Sequence, residues 1–212
     1  MIDFPKSTEV NRRIPKQRIY DAAQMNAASR RRLWEQVSEI TWLSSLSPAT
    51  LNVSEQSGAD EIEVIELELI RGDVDDAVLR QIAKAIPYRL LFILRSGEKG
   101  MLAALHRKSG GETQWIIRSE RKEYEELNIS ISGLTVEAIW RNIITSIDGG
   151  EWKAEMSIDE NLERLEHRRK LQKEIERLEK LVRAESQPRK KFELVQIINK
   201  LKKGGGDEGN DI

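Results

Sequence analysis

Leu90 to Leu94 is an unbroken apolar run in a chain whose other apolar positions are mostly spaced by polar ones. Bounded by Pro87 and by Arg95-Ser96-Gly97, it predicts a strand covered on both faces, in the middle of a sheet. Pro87 stops the helix before it, and Gly97 and Gly100 turn the chain after it. Ser96 to Gly100 therefore predicts a hairpin, with Met101 to Leu105 returning antiparallel. Lys108 to Glu112 predicts another turn, Thr113 to Arg118 a strand, and the alternation over Leu127 to Ile131 a short edge strand. Between them Glu120 to Glu126 is charged and reads as exposed. Upstream, Glu61 to Ile70 predicts a strand with a change of phase. Ile62 and Val64 point one way, then Ile65, Leu67 and Leu69 take over. Such a switch implies a bulge or a strand that passes between two environments. Ser54 to Asp60 reads as a polar loop.

Helical spacing flanks these strands. Residues 1–14 read as irregular, and Pro15 opens a short helix through Tyr20. Asn26 caps a second helix to about Glu39, with Leu33, Trp34, Val37 and Ile40 on its apolar face. Trp34 thus belongs with the core. Thr41-Trp42-Leu43 opens an extended segment to Pro48, and Thr50 to Val53 continues it into the sheet. Asp73, with Asp76 three residues on, caps a helix striped by Val78, Leu79, Ile82 and Ile86. Thr135 caps a helix through Ile147, striped by Val136, Ile139, Trp140, Ile143 and Ile144, and Gly149-Gly150 ends it. The order indicates an α+β body over 1–150, a mainly antiparallel sheet with flanking helices.

From Ile158 the pattern changes. Residues 158–185 are charged, with Glu166–Lys170, Glu176–Lys180 and Glu179–Arg183 at the spacing that supports a helix. The apolar series Ile158, Leu162, Leu165, Leu171, Ile175, Leu178, Val182 keeps a heptad except for the step from Leu165 to Leu171, which argues against a long parallel coiled coil. Ser186-Gln187-Pro188 connects to a second helix over Arg189–Lys202, giving a linker and αα-hairpin over 151–203. Residues 204–212 read as a disordered tail.

Composition removes several classes. Lys and Arg number 35 against 36 Asp and Glu, so no global charge draws the chain to nucleic acid. The absence of cysteine excludes disulfides, thiolate zinc sites and a cysteine nucleophile. With two histidines, His106 and His167, a histidine metal site or a Ser/His/Asp triad is not expected, nor is a cofactor. No run approaches the ~20 apolar residues of a membrane span, and the first residues lack a signal peptide's apolar core. A cytoplasmic protein is expected.

Several stretches together resemble a known family: Asn11-Arg12-Arg13-Ile14-Pro15-Lys16, Glu39-Ile40-Thr41-Trp42, Leu46-Ser47-Pro48-Ala49-Thr50-Leu51-Asn52, Glu61-Ile62-Glu63-Val64, and Ala85-Ile86-Pro87-Tyr88 leading into Leu91-Phe92-Ile93-Leu94. Their order over most of residues 4–203 is similar to that in a bacterial family of unknown function. Its members are encoded beside helicases and DNA methyltransferases of restriction–modification or phage-defence type. The resemblance carries over no catalytic residue. It implies an accessory component of a DNA-targeting defence system.

Three functions follow as expectations. The first is a non-catalytic accessory subunit that binds a helicase or DNA methyltransferase partner. Its contacts are Leu162, Leu165, Leu171, Ile175 and Leu178 on the hairpin, which otherwise packs on its own body or on a second copy as a homodimer. The second is DNA contact through Arg12, Arg13, Lys16 and Arg18 and through Arg30, Arg31 and Arg32. The third is a metal-dependent nuclease built on Glu66 and Glu68 with Asp148, Glu151 and Lys153, although Glu66 and Glu68 read as solvent-facing.

Overall fold

The computed structural model describes residues 2, 4–54, 61–111, 113–150 and 152–204. The chain divides into two compact units, Met1–Trp152 and Lys153–Ile212. The predicted loop over Glu55 to Asp60, Glu112, Glu151 and the tail from Gly205 lie outside the described residues.

One sheet organises the first unit. Its strands are β1 (Glu9–Arg13), β2 (Val37–Leu46), β3 (Ile62–Leu69), β4 (Arg89–Ser96), β5 (Lys99–Arg107) and β6 (Gln114–Arg118), side by side in that order; β7 (Lys122–Glu123) also pairs with β5. The β3–β4 pair is parallel, and the other pairs are antiparallel. The helices of this unit are α1 (Lys16–Ala22), α2 (Ala27–Gln36), α3 (Pro48–Leu51), α4 (Asp76–Ala85) and α5 (Val136–Asp148). The fold is α+β. Leu90 to Leu94 are all buried in β4, at the middle of the sheet, as a run without polar alternation requires. Gly97 turns the β4–β5 hairpin with φ +62°, a conformation cheapest for glycine.

The phase change in β3 reports two covered faces. Ile65, Leu67 and Leu69 share one face with Leu90, Phe92, Leu94, Met101, Ala103 and Leu105, in one core with Ile19, Leu33, Val78, Leu79 and Ile82 from the helices. Ile62 and Val64 are buried on the opposite face. On that face α5 packs against β5 and β6, where Trp140 Nε1 donates to His106 Nδ1 at 3.0 Å. The bulges lie in the β2–β3 pairing, where the register shifts between Val37 and Glu39 and between Trp42 and Ser44.

Several expectations are corrected. Residues 9–13 form an edge strand instead of irregular chain. The second helix stops at Gln36, and Val37 and Ile40 are buried from a strand, where β-branched side chains pack well. Thr50 lies in a helical turn, not a strand: Ser47 caps it reciprocally with Thr50, Pro48 opens it and left-handed Asn52 closes it. Helix α4 has Asp75 at its N-cap without a side-chain cap bond, while Asp73 accepts from the Val74 N–H and pairs with Arg118. Leu127 and Ile129 are buried without strand pairing.

In the second unit α6 (Ile158–Ala184) and α7 (Pro188–Gly204) form the hairpin. Ser157 and Glu160 make a capping box at the start of α6. Ile175, Leu178 and Ile198 are its core, with Leu171, Val182, Leu194 and Leu201 packed around them. Among the described residues no helix is long and apolar enough to cross a membrane.

Candidate nucleic-acid interface

Strand β1 and helix α1 place the N-terminal cations. Three residue steps on β1, from Glu9 to Arg12, match two on β2, from Ser44 to Trp42, so β1 carries one extra residue. Asn11 within that bulge sits at φ +46°, tolerable for asparagine, and re-aims Arg12. Ile14 and Pro15 turn the chain into α1, which adds Lys16 and Arg18.

Two adjoining clefts result, sharing Arg13, Ile14 and Pro15. The first, of about 300 Å³, is lined by Arg12, Arg13, Arg18, Trp42, Glu63 and Tyr88 over an apolar wall that includes Ile65 and Ile86. Arg12 and Arg18 have no ion-pair partner among the described residues, whereas Arg13 pairs with Glu39 at 3.1 Å. Glu63 is 5% exposed. Trp42 Nε1 donates to its Oε2 at 2.5 Å and Ser45 Oγ to its Oε1 at 3.3 Å. Burial raises its pKa above the usual carboxylate range; those two hydrogen bonds pull it back in part, and the charge of Glu61 adds to the rise.

The wall at Ile86 to Tyr88 is braced from below. The Arg107 guanidinium donates to the carbonyls of Ala83 (2.6 Å), Ile86 (2.9 Å), Pro87 (3.3 Å) and Tyr88 (2.7 Å). It satisfies the end of α4 and pins the loop into β4. Burial lowers its pKa.

The second cleft holds Lys16, Tyr20 and Trp34. Trp34 is not core: the residue is 66% exposed. Of the neighbours Leu33 and Trp34 on α2, Leu33 faces inward and Trp34 does not. Lys16 Nζ lies 4.5 Å from the Trp34 ring centroid and donates to the Val37 carbonyl. Its pKa is lowered by burial and then by the charge of Arg13.

The other candidate residues are dispersed. Arg30 donates to the Met25 carbonyl and lies over Tyr20, Arg31 pairs with Glu35, and Arg32 with Asp75. Glu66 accepts from the Tyr124 hydroxyl, Glu68 faces Arg95 at 3.8 Å, and Asp148 accepts from Trp152 Nε1. No group of three or more acidic or histidine side chains able to hold a metal occurs among the described residues. Leu171, Ile175 and Leu178 are engaged with α7, and Leu162 and Leu165 are also buried. The exposed apolar residues of the hairpin are Leu181, Phe192, Val195 and Ile197.

A family model described as a domain of unknown function, DUF4391, matches residues 2–204. The chain belongs to the DUF4391 family. No curated protein and no solved structure matches it. For this DUF4391 chain, sequence reasoning reached the arginines and Lys16 and missed Trp42, Glu63 and Arg107. A signal for Glu63 was present. It shares parity with Ile65, Leu67 and Leu69, the apolar face of β3.

Proposed function

We propose that this DUF4391 chain is a non-catalytic subunit of a bacterial DNA-targeting defence assembly, and that it contacts single-stranded nucleic acid through the two adjoining clefts. The observation that carries the reading is Trp34, a largely exposed ring beside Lys16 and next to the cleft of Arg12, Arg13 and Arg18. An exposed aromatic beside Lys16, with Arg12 and Arg18 in the adjoining cleft, matches the two elements of single-strand binding, a stacking platform and a basic track. The defence context rests on the resemblance of the N-terminal and central stretches given above.

The test is fluorescence anisotropy of a labelled oligothymidine at several salt concentrations. Binding is expected to weaken with salt. Trp34→Ala should weaken it about 5- to 150-fold, the worth of one stacked base at roughly 1–3 kcal/mol. Replacing Arg12 and Arg18 by alanine should flatten the salt slope by about one charge each. No binding at low salt, or full affinity in Trp34→Ala, overturns the reading.

A second contact, to a partner protein, is favoured by the hairpin's exposed Phe192; that the partner is a helicase or DNA methyltransferase rests on the resemblance alone. In this reading the partner face is the outer side of α7 instead of the leucines already packed within the hairpin. Phe192→Glu should abolish co-purification of the full chain with such a partner, and undiminished co-purification would remove this surface.

A further inference from the structure

Glu63 is the feature of the first cleft that strand binding leaves unused. A track for phosphates needs cations and an aromatic; it does not need a nearly buried carboxylate at its base. Both Glu63 oxygens already accept one hydrogen bond, from Trp42 and from Ser45, and each keeps a free lone pair. Acceptors in this arrangement suit a ligand edge with two adjacent N–H donors. In the same cleft Arg12 and Arg18 stand without ion-pair partners among the described residues, and suit an anion. Ile14, Ile19, Ile65 and Ile86 give the same cleft its apolar wall. A volume of about 300 Å³ is at the small end of ligand pockets and fits one base with its sugar, not a stacked pair.

Among the bases, guanine alone presents two adjacent donors, N1–H and the exocyclic amine, on its Watson–Crick edge. Adenine and cytosine offer one donor beside an acceptor, and an ionised carboxylate repels that acceptor. We propose that the cleft captures a single unstacked guanine nucleotide, with Glu63 accepting from N1–H and the exocyclic amine and with Arg12 and Arg18 on its phosphate. The inference deepens the nucleic-acid reading and rests on it for the source of the nucleotide, a base turned out of a bound strand.

Isothermal titration calorimetry of the full chain tests it, with 5′-GMP, guanosine, 5′-AMP and 5′-UMP as probes. GMP is expected to bind roughly tenfold or more tighter than AMP or UMP. Glu63→Gln, which keeps shape and removes the second acceptor, should erase that preference. Arg18→Ala should weaken GMP and leave guanosine unchanged. Ala22→Trp, which fills the cleft from α1 and leaves Glu63 in place, should block GMP. Equal affinity for GMP and AMP, a GMP preference that survives Glu63→Gln, or GMP binding that survives Ala22→Trp, overturns the proposal. Oligothymidine, with and without one central guanine, supplies the other arm. If plain oligothymidine binds and the guanine adds nothing, strand contact stands and guanine capture falls. If GMP binds selectively and neither oligonucleotide binds, guanine capture stands with a free nucleotide as its source, and the strand reading falls.

Discussion

Glu63 puts a carboxyl where the surrounding face of the sheet is apolar, and its raised pKa gives the sign of a pH effect. A carboxyl whose pKa is higher in the folded than in the unfolded chain binds more protons when folded. Stability therefore falls as pH rises from the unfolded value toward the raised one, and is level above it. Glu63→Gln removes that loss. The variant's Tm, compared with that of the parent, should climb as pH is taken from about the ordinary carboxylate pKa, near 4.5, to neutrality. Thermal melts across that range check it. A difference that stays flat with pH would mean that Glu63 titrates alike in both states. Trp42 contributes on the same scale: its indole N–H is the strongest visible restraint on the carboxylate, so Trp42→Phe should raise the Glu63 pKa further.

At the scale of elements, Arg107 does for the α4–β4 loop what no cap in the loop's own sequence does. Ile86 and Pro87 offer no side-chain donor, and four carbonyls converge on one guanidinium from the neighbouring strand. Truncation to alanine leaves them without that donor, and should destabilise the body by roughly 2–3 kcal/mol in urea unfolding, as for hydrogen bonds to a charged group. Lysine should recover only part, since an ammonium cannot reproduce the planar fork. A cost below about half a kilocalorie would show that water replaces the guanidinium at this loop. Arg107 also shows why some elements were legible in sequence and others were not. The central strand, the β4–β5 hairpin, α5 and the C-terminal hairpin announce themselves through local pattern: an unbroken apolar run, a Gly turn, a capped stripe, Glu–Lys spacing. The end of α2 does not. Leu33, Val37 and Ile40 keep helical spacing, yet pairing with β3 from Val37 onward takes two of the three into a strand. That pairing is non-local. Edge strand β1 is polar on nearly every side chain, so its backbone pairing leaves no apolar trace to read. The clefts, made where β1, α1 and the α4–β4 loop meet, inherit the same invisibility.

The whole molecule joins units of different physical character, and this sets the last prediction. The first unit closes two apolar layers over one sheet, with side chains as large as Trp140 and Phe92 fully buried. The second is two helices whose shared core is three buried residues and four half-buried ones, with ion pairs such as Lys202–Glu179 at 2.9 Å on the outside. Burying few apolar side chains stabilises little against the entropy of ordering two helices, while exposed ion pairs add less than about 1 kcal/mol each. A chain ending at Trp152 is therefore expected to melt cooperatively and to keep the oligonucleotide affinity of the full protein. A peptide covering residues 153–204 should be only partly helical by circular dichroism at micromolar concentration. Its helicity should rise with concentration if a second copy covers Phe192, which is 63% exposed, and Phe192→Asn should then cancel the rise. Full, concentration-independent helicity would show that the hairpin stands alone, leaving Phe192 for a partner of another kind. A truncated body that no longer binds the oligonucleotide would place part of the nucleic-acid surface on the hairpin, whose many lysines and arginines make that the natural place to look next.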